Sequence, residues 1–454
     1  LAAAEVRSPG GRANSFNYVA HMPDGAHVAR MPDGVASTDA THAGMPRLLV
    51  LTPDFPPARG GIQVLVHRLA TGLTGFETRV LTLRSAGAEA FDATSAVSTR
   101  RVAASGRLRA GSIAALNARA LREAVRFRPE LTLSAHIVTS PAAAVIRRVL
   151  GARTVQYFYA KEIPGKRRLA AFAAREADAA ISISSYTSGL LADAGIAPAA
   201  LRLIPPGVDL PSDVEPQSDV EPQSDVEPQS DVEPQSDVER QSDVERQPAS
   251  RPTFLTVARL VDRYKGHDVL VRSLALVRER VPDVEWVVIG DGPLRGELEA
   301  LARHHGVAES TRFLGAVSDR ERNSWLQRAD LLAMPSRLPG DGRAGEGFGI
   351  VYLEAGAYGK PVVAGDVGGA VDAVLDGVSG LLVDPTDPIA VGRAITRLLL
   401  DRELARALGR GGAERARSLA WPLIAQRVQA VLIEQLSARS PRARGPEDAA
   451  RAAL

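Results

Sequence analysis

Apolar residues fall along most of this chain in two alternating registers. Short continuous runs at 47–52 (R-L-L-V-L-T), 78–83, 131–135, 154–159, 179–182 and 201–204 are separated by stretches with helical spacing, such as 62–73. Runs without polar alternation predict strands buried on both faces, the mark of a parallel sheet flanked by helices. A second series repeats the pattern at 253–258, 286–289, 312–314, 331–334, 361–364 and 381–383. Strand and helix alternating twice over predicts an α/β chain of two Rossmann-like parallel-sheet domains. Three final helical stretches, 388–400, 402–419 and 421–437, read as cover on the second domain.

Between the two series the pattern stops. Four copies of S-D-V-E-P-Q and two of S-D-V-E-R-Q fill 212–247, with one valine per unit and no means of building a core. Residues 1–44 also lack periodic apolar positions, and Met45 directly precedes the first strand. The expected organisation is therefore a disordered leader over 1–44, whether an upstream addition or a native tail. A first domain over 45–210 follows, then an acidic linker over 211–250, a second domain over 251–437 and a frayed tail over 438–454. A cleft between two such domains is the expected binding site, because ligands of parallel sheets sit at the carboxyl ends of the strands.

Composition narrows the chemistry. The 454 residues include no cysteine, so disulfides, thiolate metal sites and cysteine nucleophiles are excluded. No apolar stretch approaches the roughly 20 residues of a membrane-spanning helix, and no signal-peptide pattern opens the chain. A cytoplasmic location is the default expectation. The formal charge of +2 conceals an asymmetry: 22 Lys+Arg against 11 Asp+Glu over 45–210, and 2 against 12 over 212–247. A basic first domain suits an anionic partner, and Lys166-Arg167-Arg168 leading into L-A-A-F-A-A-R reads as a basic amphipathic helix. The expectation is peripheral contact with the inner face of the cell membrane, against the simpler reading of a solvated helix. Aromatics interleaved with cations are scarce, which argues against nucleic acid.

Candidate chemistry falls at strand ends. Gly60-Gly61 closes the first strand-to-helix loop, where backbone can approach a ligand closely. Arg259 and Lys265 end the first strand of the second domain and could grip a diphosphate, one as a fork and one as a point charge. The stretch 346–354, E-G-F-G-I-V-Y-L-E, reads as a helix entrance near Gly347 bracketed by two carboxylates. Free N–H groups there would face an anion, and Glu354 could accept from a ribose diol. No cluster with metal-ligand spacing is visible, and His136 after a strand reads more readily as structural than as catalytic.

Taken in order, V-A-R-L-V-D-R-Y-K-G-H-D, V-I-G-D-G-P, R-F-L-G, A-D-L-L-A-M-P-S and E-G-F-G-I-V-Y-L-E-A resemble the retaining GT-B glycosyltransferases of family 4. The resemblance runs from Met45 to about Leu436, and looks closest to actinobacterial enzymes that build lipid-linked mannosides. It implies two domains facing across a cleft, a nucleotide-sugar donor with GDP-mannose foremost, and a glycan or lipid acceptor. It also implies that no metal or other cofactor takes part. Arg259 and Lys265 match the pair that holds the donor diphosphate, and Glu346 the carboxylate near the sugar hydroxyls. Glu354 matches the ribose ligand, and Phe348, Gly349 and Ile350 the backbone against sugar and phosphate. Gly60 and Gly61 match the loop that closes from the first domain.

One departure concerns the H-G-x-E-like stretch of such enzymes, which reads Tyr159-Ala160-Lys161-Glu162 here. Tyr159, with His136 as its rival, is expected to touch the sugar, and the departure puts the donor sugar in question. Two other classes stay open. One is a GT-B nucleotide-sugar epimerase, which would need acid/base residues that this stretch does not obviously supply. The other is a silent nucleotide-sugar-binding protein, which would be expected to lose Arg259, Lys265 or Glu346.

Overall fold

The structure, a computed structural model, describes residues 44–58, 60–103, 109–211, 251–340 and 344–438. The expected leader up to residue 43, the hexapeptide repeat and the tail beyond 438 lie outside the described residues.

The first sheet holds seven strands: β1 Arg47–Leu51, β2 Glu77–Leu83, β3 Ser98–Val102, β4 Leu131–Ser134, β5 Arg153–Phe158, β6 Ala179–Ser182 and β7 Leu201–Leu203. The second holds six: β8 Thr253–Val257, β9 Glu285–Ile289, β10 Thr311–Gly315, β11 Leu331–Met334, β12 Val362–Gly365 and β13 Gly380–Val383. Every pairing is parallel, and the orders are β3-β2-β1-β4-β5-β6-β7 and β10-β9-β8-β11-β12-β13. Both are doubly wound, and in each the order reverses beside the first strand of the domain, which places a crevice at the carboxyl ends of β1 and β8.

Strand alternation sorts the cores. Leu48 and Val50 face Leu65 and Leu69 of the helix Gly61–Gly72, while Leu49 and Leu51 face Leu116 and Ala120 of the helix Arg109–Phe127. In the second domain, Phe254, Trp286 and Val288 pack on Leu270, Leu274 and Val277 of the helix His267–Arg280. These residues are essentially inaccessible to solvent, which is why their runs carry no polar alternation.

Two expectations need correction. Strand β3 was not expected, because S-T-R-R-V reads as a polar edge. Its Arg101 is nonetheless almost fully covered, its guanidinium bonded to Asp92 at 2.7 Å and to the Pro56 carbonyl at 2.6 Å. A charge paired on all sides can be buried, and no hydrophobic pattern signals it. The second correction concerns the last helix, Trp421–Ser437, which covers the first domain and not the second. A Cβ on Gly72 would lie 2.7 Å from Ala425 Cβ, Gly75 N–H donates to Gln429 at 3.2 Å, and Arg153 donates to the Ala438 carbonyl at 2.7 Å. An apolar stripe such as Ile424, Val428 and Leu432 tells that a helix must bury one face, but not which sheet receives it. The chain returns beside the outgoing one: Val208 N–H donates to the Leu419 carbonyl at 3.0 Å, and Trp421 N–H to the Val208 carbonyl at 3.2 Å.

Candidate active site

Three segments of the second domain converge past its strand ends. The first leaves β8. Arg259 is exposed and makes no ion pair among the described residues, and a short turn Arg263–Lys265 ends on Gly266 at φ +81°. That left-handed residue must be glycine on two counts, since a Cβ would also crowd the Pro335 carbonyl group. The turn holds Lys265, whose Nζ rests on Glu346 Oε2 with both side chains mostly covered.

The second segment is the loop carrying Glu346 and the helix Ile350–Ala357. The helix begins at Ile350, three residues later than Gly347, because Gly349 breaks the approach at φ +90°. A Cβ on Gly349 would meet Tyr352 Cδ2 at 2.5 Å, and Tyr352 is itself fixed by its hydroxyl, which donates to the Met334 carbonyl at 2.8 Å. Phe348 is buried in the core, so what it offers a ligand is backbone. Glu354 lies in the second turn, with Arg322 Nη1 at 3.6 Å. Burial raises its carboxyl above the usual range, Arg322 opposes this, and the charges of Asp209 and Asp319 add to it.

The third segment, Gly368-Gly369, braces the loop: Gly369 N–H donates to the Glu346 carbonyl at 2.8 Å.

The first domain closes on this surface at its own strand ends. A Cβ on Gly61 would lie 3.6 Å from Ile350 Cδ1, and one on Gly347 would lie 3.6 Å from Ala160 Cβ and 3.2 Å from Ile183 Cδ1. Polar contacts fix the approach. Ser185 donates through N–H and hydroxyl to Asp372 at 2.7 and 2.9 Å, Gly345 N–H donates to the Tyr186 hydroxyl at 3.2 Å, and Lys161 pairs with Asp262 at 3.0 Å. Ser185, Tyr186, Asp262 and Asp372 did not stand out in the sequence, because each is an ordinary polar residue until the domains meet. An Asp372→Ala chain should lose two charge-assisted bonds and hold the domains together less firmly. The expected result is a donor KM higher by about tenfold with kcat less affected, together with a larger radius of gyration by solution scattering.

The two expected sugar contacts separate. Tyr159 does not line the opening. Its ring stacks on Tyr157 with centroids 5.7 Å apart, only 3% of the residue is exposed, and its hydroxyl is buried without a partner. Its pKa stands well above the ordinary range, through burial first and then the charges of Tyr157, Glu162 and Asp54. The stretch that resembles H-G-x-E therefore turns its first side chain into the core. His136 keeps a tenth of its side chain open at the end of β4, with Glu162 against one ring nitrogen.

His267, beside Lys265, has both ring nitrogens buried without partners, and burial with the Lys265 and Arg337 charges pulls its pKa down to about 4. The folded pKa lies below the unfolded one, so its contribution to stability is complete above about pH 6.5 and is lost as pH falls toward 4. At about 1.4 kcal/mol per pH unit, this one residue should remove roughly 3 kcal/mol across that window. A His267→Leu chain should show a shallower acid limb in urea denaturation between pH 7 and pH 4.

The arrangement is a fixed ammonium and a carboxylate at the mouth of a two-domain cleft, with a free guanidinium, a helix entrance and a second carboxylate alongside. Two family models match the chain: "Glycosyltransferase Family 4" over residues 59–211 and "Glycosyl transferases group 1" over 237–415. A GDP-mannose-dependent alpha-(1-6)-phosphatidylinositol monomannoside mannosyltransferase of Mycobacterium tuberculosis is 33% identical, over 82% of this chain and 93% of the relative. One from Mycolicibacterium smegmatis is 34% identical, over 80% and 92%. Among solved structures, sucrose-phosphate synthase from Thermosynechococcus elongatus is similar at a TM-score of 0.68 and 21% identity, covering 87% of this chain and all of that one. Anabaena HepE in complex with UDP and glucose is similar at 0.66 and 20%, covering 86% and all of that chain.

Proposed function

Because the chain belongs to the family 4 glycosyltransferases, with the two-domain architecture of GT-B enzymes, we propose that it moves mannose from GDP-mannose to a lipid-linked or polysaccharide acceptor, with retention and without a metal ion. The observation that carries this reading is the Lys265–Glu346 pair, held where the two domains meet. In glycosyl transfer the bond from the anomeric carbon to the phosphate oxygen breaks, leaving positive charge on the sugar and negative charge on the diphosphate. Lys265 and Arg259 stabilise the departing charge, and the N–H groups opening the helix at Ile350 add to them. Glu346 holds sugar hydroxyls, and Glu354 the ribose diol. The acceptor oxygen bonds to the anomeric carbon from the side the diphosphate leaves, and its proton passes to a phosphate oxygen. Two cations beside the diphosphate supply the charge stabilisation that a metal ion gives elsewhere.

GDP-mannose is favoured as donor by the printed names of the M. tuberculosis and M. smegmatis relatives. Their glycolipid acceptor also favours a membrane-borne substrate. No helix among the described residues is long and apolar enough to cross a membrane. In the helix Arg167–Glu176 the apolar face, Ala170, Ala173 and Ala174, packs into the core, which leaves Lys166 and Arg168 exposed. Docking on an anionic surface would therefore act through charge and not through an inserted apolar face.

Thermal-shift screening with GDP-, UDP- and ADP-sugars tests the donor. GDP-mannose should raise the midpoint most, since a ligand at 100 times its Kd adds about 2.7 kcal/mol of stability. A larger shift from a UDP-sugar would overturn the donor, and no shift from any sugar nucleotide would overturn the whole reading.

A further inference from the structure

Three titratable side chains meet at the carboxyl end of the first sheet in a place the donor contacts do not use. They come from three strand ends: Asp54 after β1, His136 after β4 and Glu162 after β5. Glu162 is nearly covered, and its Oε1 lies 2.6 Å from His136 Nδ1. The same oxygen accepts from Ile137 N–H at 3.1 Å, and Oε2 accepts from Tyr159 N–H at 3.2 Å. A carboxylate fixed by two backbone donors orients the imidazole. Val138 N–H donates to the same ring nitrogen at 3.2 Å.

The other ring nitrogen, Nε2, faces Asp54 Oδ2 at 4.0 Å. Asp54 keeps its other oxygen on Gln63, which donates at 3.3 Å, and about a quarter of its side chain is open. A carboxylate oxygen and a ring nitrogen held side by side match two hydroxyls on neighbouring carbons, each able to donate or accept. The place is flanked by two of the points where the first domain touches the second. Gln63 follows Gly60-Gly61, which meets Ile350, and Glu162 follows Ala160, which meets Gly347. The buried, unpartnered Tyr159 hydroxyl lies close enough for the charges of Asp54 and Glu162 to act on it.

We propose that Asp54 and His136 bind the acceptor, as a polyol presenting vicinal hydroxyls, and that Glu162 is the positioning residue that holds His136 for it. This inference rests on the sugar-transfer reading and takes no proton from the acceptor beyond the one already assigned to the leaving phosphate. The test uses the full chain with GDP-mannose, measuring GDP release in water alone and with methyl α-mannopyranoside, glycerol or propan-1-ol added. The diol-bearing probes should accelerate release and propan-1-ol should not. Asp54→Asn and His136→Gln should raise the KM for the accelerating probe at least about tenfold, the loss of a hydrogen bond to a charged group. Both variants should lower probe-dependent release more than release in water alone. Glu162→Gln should raise the same KM while leaving the kcat at saturating probe near the wild-type value.

Equal acceleration by propan-1-ol, no acceleration by either diol, or equal losses with and without probe would each overturn the proposal. A wild-type chain that neither releases GDP nor is stabilised by any sugar nucleotide would overturn the transfer reading itself, and this proposal with it. Thermal midpoints of the three variants separate a lost contact from a lost fold.

Discussion

Lys265→Ala should slow sugar transfer at least about 100-fold, with most of the loss in kcat and a smaller rise in donor KM. Lys265 Nζ has Glu346 as its partner. If Lys265 holds the diphosphate as proposed, removing the ammonium takes away stabilisation that is largest in the transition state. It also leaves Glu346 mostly covered and uncompensated. Glu346→Ala should cause a loss of the same order, by freeing the lysine and removing the sugar contact. The double variant should be little worse than either single one, because the two side chains act as a unit. Steady-state rates for the three chains decide this. Near-normal turnover by both single variants would remove these residues from the active site, and additive losses would separate their roles.

Gly369→Ala should be among the more damaging substitutions of a small residue near the cleft. The backbone of Gly369 is ordinary in conformation, so any strain would come from crowding alone. An added methyl would collide with the Gly347 carbonyl group and lie 2.6 Å from Phe348 N, both backbone atoms that cannot rotate away. The bond from Gly369 N–H to the Glu346 carbonyl would then stretch or break. Overpacking of this kind costs about 1–3 kcal/mol, and the strain falls on the loop that aims Glu346. The expected result is a thermal midpoint lower by several degrees and transfer reduced by about tenfold or more, since small displacements of positioned groups are costly. Unchanged stability would mean that the loop can shift freely, and the donor contacts would then need a different support.

Much of this was legible in the sequence, for a physical reason. Parallel strands covered on both faces leave continuous apolar runs, and twelve of the thirteen strands were readable that way. Strand β3 was hidden because its burial depends on Arg101 finding Asp92 and a backbone carbonyl, a pairing with no local signature. The residues proposed to hold the donor sit in a short spaced order at strand ends, which is what made them candidates. Lys265 and Glu346, 81 positions apart, come into direct contact. The first-domain residues were read less well. Tyr159 looked like an open contact from its place after β5, yet stacking on Tyr157 turns it inward. Asp54 drew no notice, since a carboxylate in a loop is usually just solvated. Its meaning depends on His136 and Glu162 arriving from two other strands.

The return of the last helix to the first domain changes what holds the molecule together. The chain crosses between the sheets twice, and the two crossings lie hydrogen-bonded to each other at Val208 and Leu419. Bending there is a rotation about two parallel rails, which resists twisting of one domain against the other more than a single tether would. It also means that severing the backbone within 212–247 would not separate the halves. The carboxyl-terminal piece would still carry Trp421–Ser437, seated on the first sheet through Ala425, Gln429 and Ala438. The two pieces should therefore stay associated after such a cut, which size-exclusion chromatography of the nicked chain would show.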